Sequence, residues 1–177
     1  MNKNKTKIIN IAAAAVFAAL IAVMTSQIKI PTGINEGYLH FGDSIIYLAA
    51  CALPLPYAVI AAAVGGALAD ILAGAAVWAI PTAIIKSLNV LPFALLYSFK
   101  KVKNPQRMLT PPTAVAAVAS GFITVFGYLL AEGLMYTFPS AWTSVPISCI
   151  QAAGSAAIYY AAAAALDAMK FKSRLFK

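Results

Sequence analysis

Asp70 and Lys86 are charged residues inside an almost continuously apolar stretch, residues 38–97. A charge at that depth in lipid costs at least ~2.5–3.5 kcal/mol on insertion scales, so each needs a partner or a purpose. Gly74 and Trp78 mark a turn around residues 75–79 that folds the stretch into a helical hairpin. Asp70 and Lys86 then lie at similar distances from the turn. The spacing predicts that they meet, as a structural ion pair or as part of a binding site.

Other polar residues in apolar surroundings follow helical spacing. Gly121, Thr124, Tyr128 and Glu132 fall on one stripe; Ser144, Ser148, Gln151 and Ser155 fall on a second; Thr82, Lys86 and Asn89 fall on a third. Such stripes avoid lipid, so they should face one another. They are either glue between helices, at roughly 0.6 kcal/mol per hydrogen bond, or the walls of a chamber. Glu132, Lys86, Asp70 and Gln151 together favour the chamber. Its chemistry is recognition of a small heteroaromatic ligand by aromatic walls and a few fixed polar groups. Glu132 would pair a cationic or amino group, Tyr128 and Trp78 would stack on a ring, and Gln151, Asn89 and Lys86 would supply hydrogen bonds, with Tyr136 a further aromatic wall. His40, the single histidine, lies in a loop beside these helices and completes the candidate set.

Catalysis is not expected. The chain carries no GxxxxGK[ST] loop, no HExxH or other metal spacing and no GxSxG, and His40 has no nucleophile constellation around it. No metal or cofactor is expected. Cys51 and Cys149 lie within apolar segments and read as buried free thiols. Two other classes stand against a ligand carrier: a ligand-free membrane scaffold or assembly subunit, and an intramembrane enzyme acting on lipid.

The elements that must position these residues are membrane helices. Of the 177 residues 62% are hydrophobic and 10% charged, and the mean hydropathy is +0.84, which excludes an ordinary soluble domain. At about 20 residues per span the chain holds about six helices, with no room for a separate soluble domain. The expected spans are residues 8–30, 43–53, 57–72, 80–99, 113–135 and 144–169 of one integral membrane domain, residues 1–177. Pro54-Leu55-Pro56 makes one turn, residues 100–112 a long polar connector, and residues 136–143 a loop with Pro139 and Trp142. Asp43 and Ser44 mark the start of the second helix, with a carboxylate near its positive end. The loop at residues 31–41, with Glu36, Tyr38 and His40, is a connector or a lid.

The net charge of +8 does not point to nucleic acid. Eleven of the thirteen basic residues cluster at segment ends: Lys3, Lys5 and Lys7; Lys100, Lys101, Lys103 and Arg107; Lys170, Lys172, Arg174 and Lys177. The positive-inside rule puts all three clusters, and with them both termini, on the cytoplasmic face of six crossings. The start also fits a signal peptide, but the apolar run is long and lacks a small-x-small cleavage site. Ala12, Ala15, Ala19 and Ala22, with Ala14 and Ala18 beside them, let another helix approach closely, within the bundle or from a partner.

The segments AAAAVFAAL, LHFGDSIIYLAA, GGALADILAGAAVWAIPTAIIK and SVPISCIQAAGSAAI, in that order along six helices, resemble the S components of energy-coupling factor (ECF) vitamin transporters. The likeness is strongest to the branch of riboflavin, hydroxymethylpyrimidine and vitamin B6 carriers. The resemblance implies an all-α bundle in a prokaryotic plasma membrane that captures a small water-soluble vitamin from outside. It also implies a coupling transmembrane subunit and two ATPase subunits as partners. Ala14, Ala15, Ala18 and Ala19 would contact the coupling subunit, the pocket would open outward beneath the first loop, and the subunit would topple in the membrane to release its substrate. The first loop departs from that of riboflavin carriers, and Ala-Leu-Pro-Leu-Pro stands where a glycine-bearing turn is usual.

Overall fold

The computed structural model describes residues 3–35, 37–98 and 106–175. Glu36, Lys100, Lys101, Lys103 and Lys177 lie outside them. The chain runs through helix α1 (Lys3–Ser26), a short hairpin of β1 (Lys29–Pro31) and β2 (Tyr38–His40), then α2 (Asp43–Ala52) and α3 (Leu55–Ala73). A single 3-10 turn (Ala76–Trp78) leads into α4 (Ala79–Leu88) and α5 (Leu91–Ser98), followed by α6 (Pro111–Met135), α7 (Phe138–Ala168) and α8 (Phe171–Leu175). Among the described residues, five helical spans are long and apolar enough to cross a membrane, and α2 is a shorter apolar helix among them.

Helix α1 turns Ala13, Ala14, Phe17, Ala18, Ile21 and Ala22 inward and leaves Val16, Leu20 and Val23 outside. It lies against α3 so closely that a β-carbon on Gly65 would come within 2.7 Å of the Ala18 carbonyl oxygen. In lipid such contacts rest on close packing rather than on a hydrophobic drive. Ala14 and Ala18 are therefore spent inside the bundle, whereas Ala15 and Ala19 face out. Half of the set expected to dock a partner is not available for it.

Helix α2 spans about half the hydrocarbon thickness at 1.5 Å per residue. It can do so because nine of its ten residues are buried in protein. It stops at Ala52 because Leu53, ahead of Pro54, is extended (φ −104°, ψ 153°). Pro56 then falls in the first turn of α3, where no N–H is needed. At the other end of α3, Gly74 adopts φ 84° and donates to the Asp70 and Ile71 carbonyls, a left-handed cap that glycine adopts without strain.

The first helix begins at Lys3 rather than residue 8, and three further boundaries differ from expectation, each for a local reason. The first helix ends at Ser26, not residue 30, because residues 29–31 pair antiparallel with residues 38–40, Lys29 opposite His40 and Pro31 opposite Tyr38. The span expected over residues 80–99 is broken at Asn89 and Val90, where Pro92 removes the N–H that would bond the Leu88 carbonyl. At the break the Asn89 carbonyl accepts the Ser120 hydroxyl at 2.7 Å. Helix α7 begins at Phe138 rather than 144: Thr137 caps it by accepting the Ser140 N–H, and Pro139 occupies its first turn.

The two ends of the bundle differ. At the end carrying Lys5, Lys7, Arg107, Lys170 and Arg174, the Asp167 carboxylate accepts the N–H groups of Met108 (2.7 Å) and Leu109 (2.9 Å). The buried Met108 carbonyl accepts the hydroxyls of Tyr159 (2.7 Å) and Thr113 (2.8 Å). Tyr47 and Phe93 stack at 5.6 Å, and Tyr159 meets both edge-on at 5.8 Å, closing this half with aromatic rings. The opposite end holds a cavity.

Candidate functional site

The cavity is lined from five directions: Thr32, Gly37, Tyr38 and His40 from the hairpin, Asp70 from α3, and Trp78 and Thr82 from the turn and α4. Tyr128 and Glu132 come from α6, and Ser144, Ile147, Ser148 and Gln151 from α7. The polar stripes of α6 and α7 thus face one another, with Gly121 allowing the approach of Ala152 below.

Glu132 is 7% exposed. Its Oε2 accepts the Asn35 side-chain amide at 2.8 Å and the Ser144 hydroxyl at 2.7 Å. Asn35 bridges the hairpin to the helices: its Oδ1 accepts the Ser140 hydroxyl at 2.8 Å, and its backbone carbonyl accepts the Trp78 indole N–H at 3.1 Å. Asn35 holds φ 48°, a left-handed conformation that asparagine tolerates. Trp78 stacks on Tyr136 at 6.1 Å and tilts against Tyr128 at 5.9 Å, forming the aromatic wall.

Asp70 is 4% exposed. Its Oδ1 accepts the Tyr38 hydroxyl at 2.6 Å. Its Oδ2 is buried with no donor in full hydrogen-bond geometry, although the Thr82 hydroxyl, 3.1 Å from that of Tyr128, stands beside the carboxylate as a further donor. Burial, and then the neighbouring Asp70 charge, push the Tyr38 phenol well above its ordinary range, so it stays a donor.

The expected Asp70–Lys86 ion pair does not form. The Lys86 ammonium instead meets Asp43 Oδ1 at 2.6 Å, with the two side chains 1% and 0% exposed. Asp70 lies one helical turn from Gly74, whereas Lys86 lies two turns beyond Trp78 and is deeper. The Lys86 stem packs over Gly66, where a β-carbon would come within 3.0 Å of its Cγ, and this carries the ammonium across to α2. The ammonium also sits 5.0 Å from the Tyr128 ring. Asp43 Oδ2 further accepts Thr124 (3.3 Å) and the Gln151 amide (3.4 Å).

Gln151 connects this buried pair to the cavity, since its Oε1 accepts the His40 N–H at 3.4 Å. His40 Nδ1 accepts the Gly42 N–H at 3.1 Å. Burial, and then the Lys86 charge, hold the imidazole down at about 3, so it is neutral with its proton on Nε2. Of the candidate residues, His40, Trp78, Tyr128, Glu132 and Gln151 line the cavity. Lys86 does not line it, and neither does Asn89, whose amide donates to Thr124 at 2.9 Å beneath it.

Sequence reading missed Tyr38, Asn35 and the binding position of Asp43. For Asp43 a signal existed, a carboxylate beside apolar sequence. Nothing in the spacing pointed it at Lys86, forty-three residues on. Among the described residues no cluster of three or more His, Cys, Asp or Glu could hold a metal.

A helical membrane bundle, closed at one end and hollowed at the other into a chamber with carboxylates and aromatic rings, belongs to the class of membrane-embedded solute-binding proteins. The model of the ECF-type riboflavin transporter S component family matches residues 5–168, and the chain belongs to that family. It is thereby a substrate-binding membrane subunit of an ECF transporter, and the family is one of transporter subunits rather than enzymes. The chain is also 31% identical over 116 residues, 66% of its length and 73% of the relative's, to a protein of Pyrococcus woesei known only as an uncharacterized protein in a gap 3'region.

Proposed function

We propose that this subunit captures a small water-soluble vitamin or precursor, of the vitamin B6, hydroxymethylpyrimidine or riboflavin kind, outside a prokaryotic cell. The observation that carries the reading is the shared chamber of Glu132, Gln151, Trp78 and Tyr128 at the end of the bundle away from the clusters of basic residues. Glu132 pairs an amino or cationic group, Trp78 and Tyr128 stack on a ring, and Gln151 and His40 Nε2 supply hydrogen bonds.

The space enclosed among the lining side chains is about 60 Å³, below the ~300–1,000 Å³ of ordinary ligand pockets. Ligand entry therefore displaces the hairpin, which Lys29, Asn35, Tyr38 and His40 fasten to the helices. Delivery into the cell rests on a coupling transmembrane subunit and two ATPase subunits. The outward Ala15 and Ala19 of α1, with Ala12 a turn before, are the docking face for the coupling subunit in the plasma membrane.

The test is mass spectrometry of small molecules retained through gentle purification, followed by thermal unfolding with a vitamin panel. A ligand that binds only the folded state raises the unfolding temperature, equivalent to about 2.7 kcal/mol at one hundred times Kd. A purified subunit that retains no small molecule and is stabilised by none of the panel is a scaffold and not a carrier.

A further inference from the structure

Two buried acids share the interior with one buried base: Asp43, Asp70 and Lys86 are 0%, 4% and 1% exposed. A single ammonium cannot compensate both carboxylates at once. Here it stands 2.6 Å from Asp43 Oδ1, a contact of charge alone, since neither atom has a partner in hydrogen-bond geometry. Asp43 also has two neutral donors on Oδ2, Thr124 at 3.3 Å and the Gln151 amide at 3.4 Å. Asp70 relies on one short bond, from the Tyr38 hydroxyl at 2.6 Å, with the Thr82 hydroxyl beside it. The Lys86 stem crosses α3 at Gly66, where a β-carbon would sit 3.0 Å from Lys86 Cγ and 3.1 Å from Thr82 Cγ2. Asp70 lies one turn further along that same face of α3, and the Lys86 charge already acts on it.

We propose that Lys86 is a two-position cation, on Asp43 while the hairpin is closed and on Asp70 when the hairpin lifts, so that closure is relayed to helix α2. Lifting the hairpin withdraws Tyr38 and leaves the Asp70 carboxylate with Thr82 alone. A buried carboxylate so stripped is costlier than one that keeps neutral donors, and Asp43 keeps Thr124. The ammonium therefore goes to the acid that has lost more. Its path runs outward along α3 by about one helical turn, beside the Tyr128 ring that it already faces at 5.0 Å. The missing side chain at Gly66 lets the stem swing. The move takes from α2 the ion pair at its first residue, so this short helix is loosened only while the chamber is open. One charge with two discrete positions, biased by the hairpin, is the two-state element that such a relay requires. The inference takes from the carrier reading only that the hairpin opens, and nothing about what enters.

The test uses the purified full chain in lipid nanodiscs with no added ligand. Tyr38→Phe removes the donor from Asp70 and keeps the ring. We expect the backbone amides of residues 44–49 in α2 to exchange hydrogen at least about tenfold faster in this variant, the scale of one lost interaction with a charged group. Asp70→Asn abolishes the second position, so Tyr38→Phe/Asp70→Asn should return to the parent rate. Unfolding temperatures give an independent reading. Asp43→Asn should lose less than half of what Asp43→Asn/Asp70→Asn loses, while Asp70→Asn alone loses little, because only the double variant strands the ammonium. Unchanged exchange in Tyr38→Phe, acceleration that persists when Asp70→Asn is added, or losses that simply add would each overturn the two-position cation. So would an Asp43→Asn chain that fails to fold while Asp70→Asn folds. The vitamin panel decides separately whether the chamber binds a ligand, so the two readings can fail independently.

Discussion

Lys86 and Asp43 are the pair on which the middle of the bundle depends. Removing one partner of a buried ion pair leaves the other uncompensated and costs about 3–5 kcal/mol, whereas replacing both is far milder. Lys86→Met should therefore lower the unfolding temperature sharply, and Asp43→Asn/Lys86→Met should recover most of the loss. A single variant as stable as the parent would show that Asp43 is already neutral or solvated. His40 gives a second residue-scale expectation. Its folded pKa of about 3 lies below the unfolded value near 6.5. Between those values the unfolded chain takes up the proton and the folded chain does not. Stability is full above pH about 6.5 and falls as the pH drops through this window, by at most about 1.4 kcal/mol per unit. His40→Asn, which keeps an acceptor for the Gly42 N–H, should make the acid-side decline in unfolding temperature shallower; an identical decline would remove the imidazole as its source.

The hairpin is the element whose fastening matters most to function. Its tip is held by the Asn35 side chain on Glu132 and Ser140. Asn35→Gly suits the φ of 48° and deletes both side-chain bonds. Backbone amides of residues 29–40 should then exchange hydrogen faster, and ligand should associate and dissociate faster with a smaller change in Kd. Unaltered exchange would mean that the Lys29, Tyr38 and His40 bonds fasten the hairpin without Asn35. At this scale the sequence was only partly legible. Apolar runs and their prolines foretold a helical bundle and the turns at residues 54–56 and 74–78, because lipid permits few backbone solutions. Pro92 breaks a helix that the apolar run alone suggests is continuous, and Pro139 starts a helix where its neighbours suggest a loop: the same residue type does either, depending on whether its missing N–H is needed. The stripes on α6 and α7 were legible because helical periodicity fixes which residues share a face. Which stripe met which carboxylate was not, since rotation of α3 against α4 is set by packing at Gly66, not by distance from the turn.

For the molecule as a whole, the ends are distinguished by charge, and this fixes an orientation that can be measured. With the basic end inside, Ser173→Cys should react with a membrane-impermeant maleimide only in inverted vesicles, and Ile34→Cys only in right-side-out ones. Labelling of Ile34→Cys from the cytoplasmic side would reverse the assignment of the cavity. Cys51 is buried and Cys149 exposed on the bundle's flank, so neither should compete strongly with an aqueous reagent.

The knot at Met108 bears on how such a molecule can move. Three helices converge on one carbonyl and one carboxylate there: Tyr159 and Asp167 of α7, Thr113 of α6, and Cys51 of α2 through a 3.5 Å thiol contact. Loosening any of them would strand a polar group in hydrocarbon, so the inner half behaves as a stiff plate. Occupancy of the outer chamber can then be signalled across the bilayer only by tilting that plate as one piece or by reshaping the surface it shows to lipid, because its helices have no inexpensive way to slide past one another.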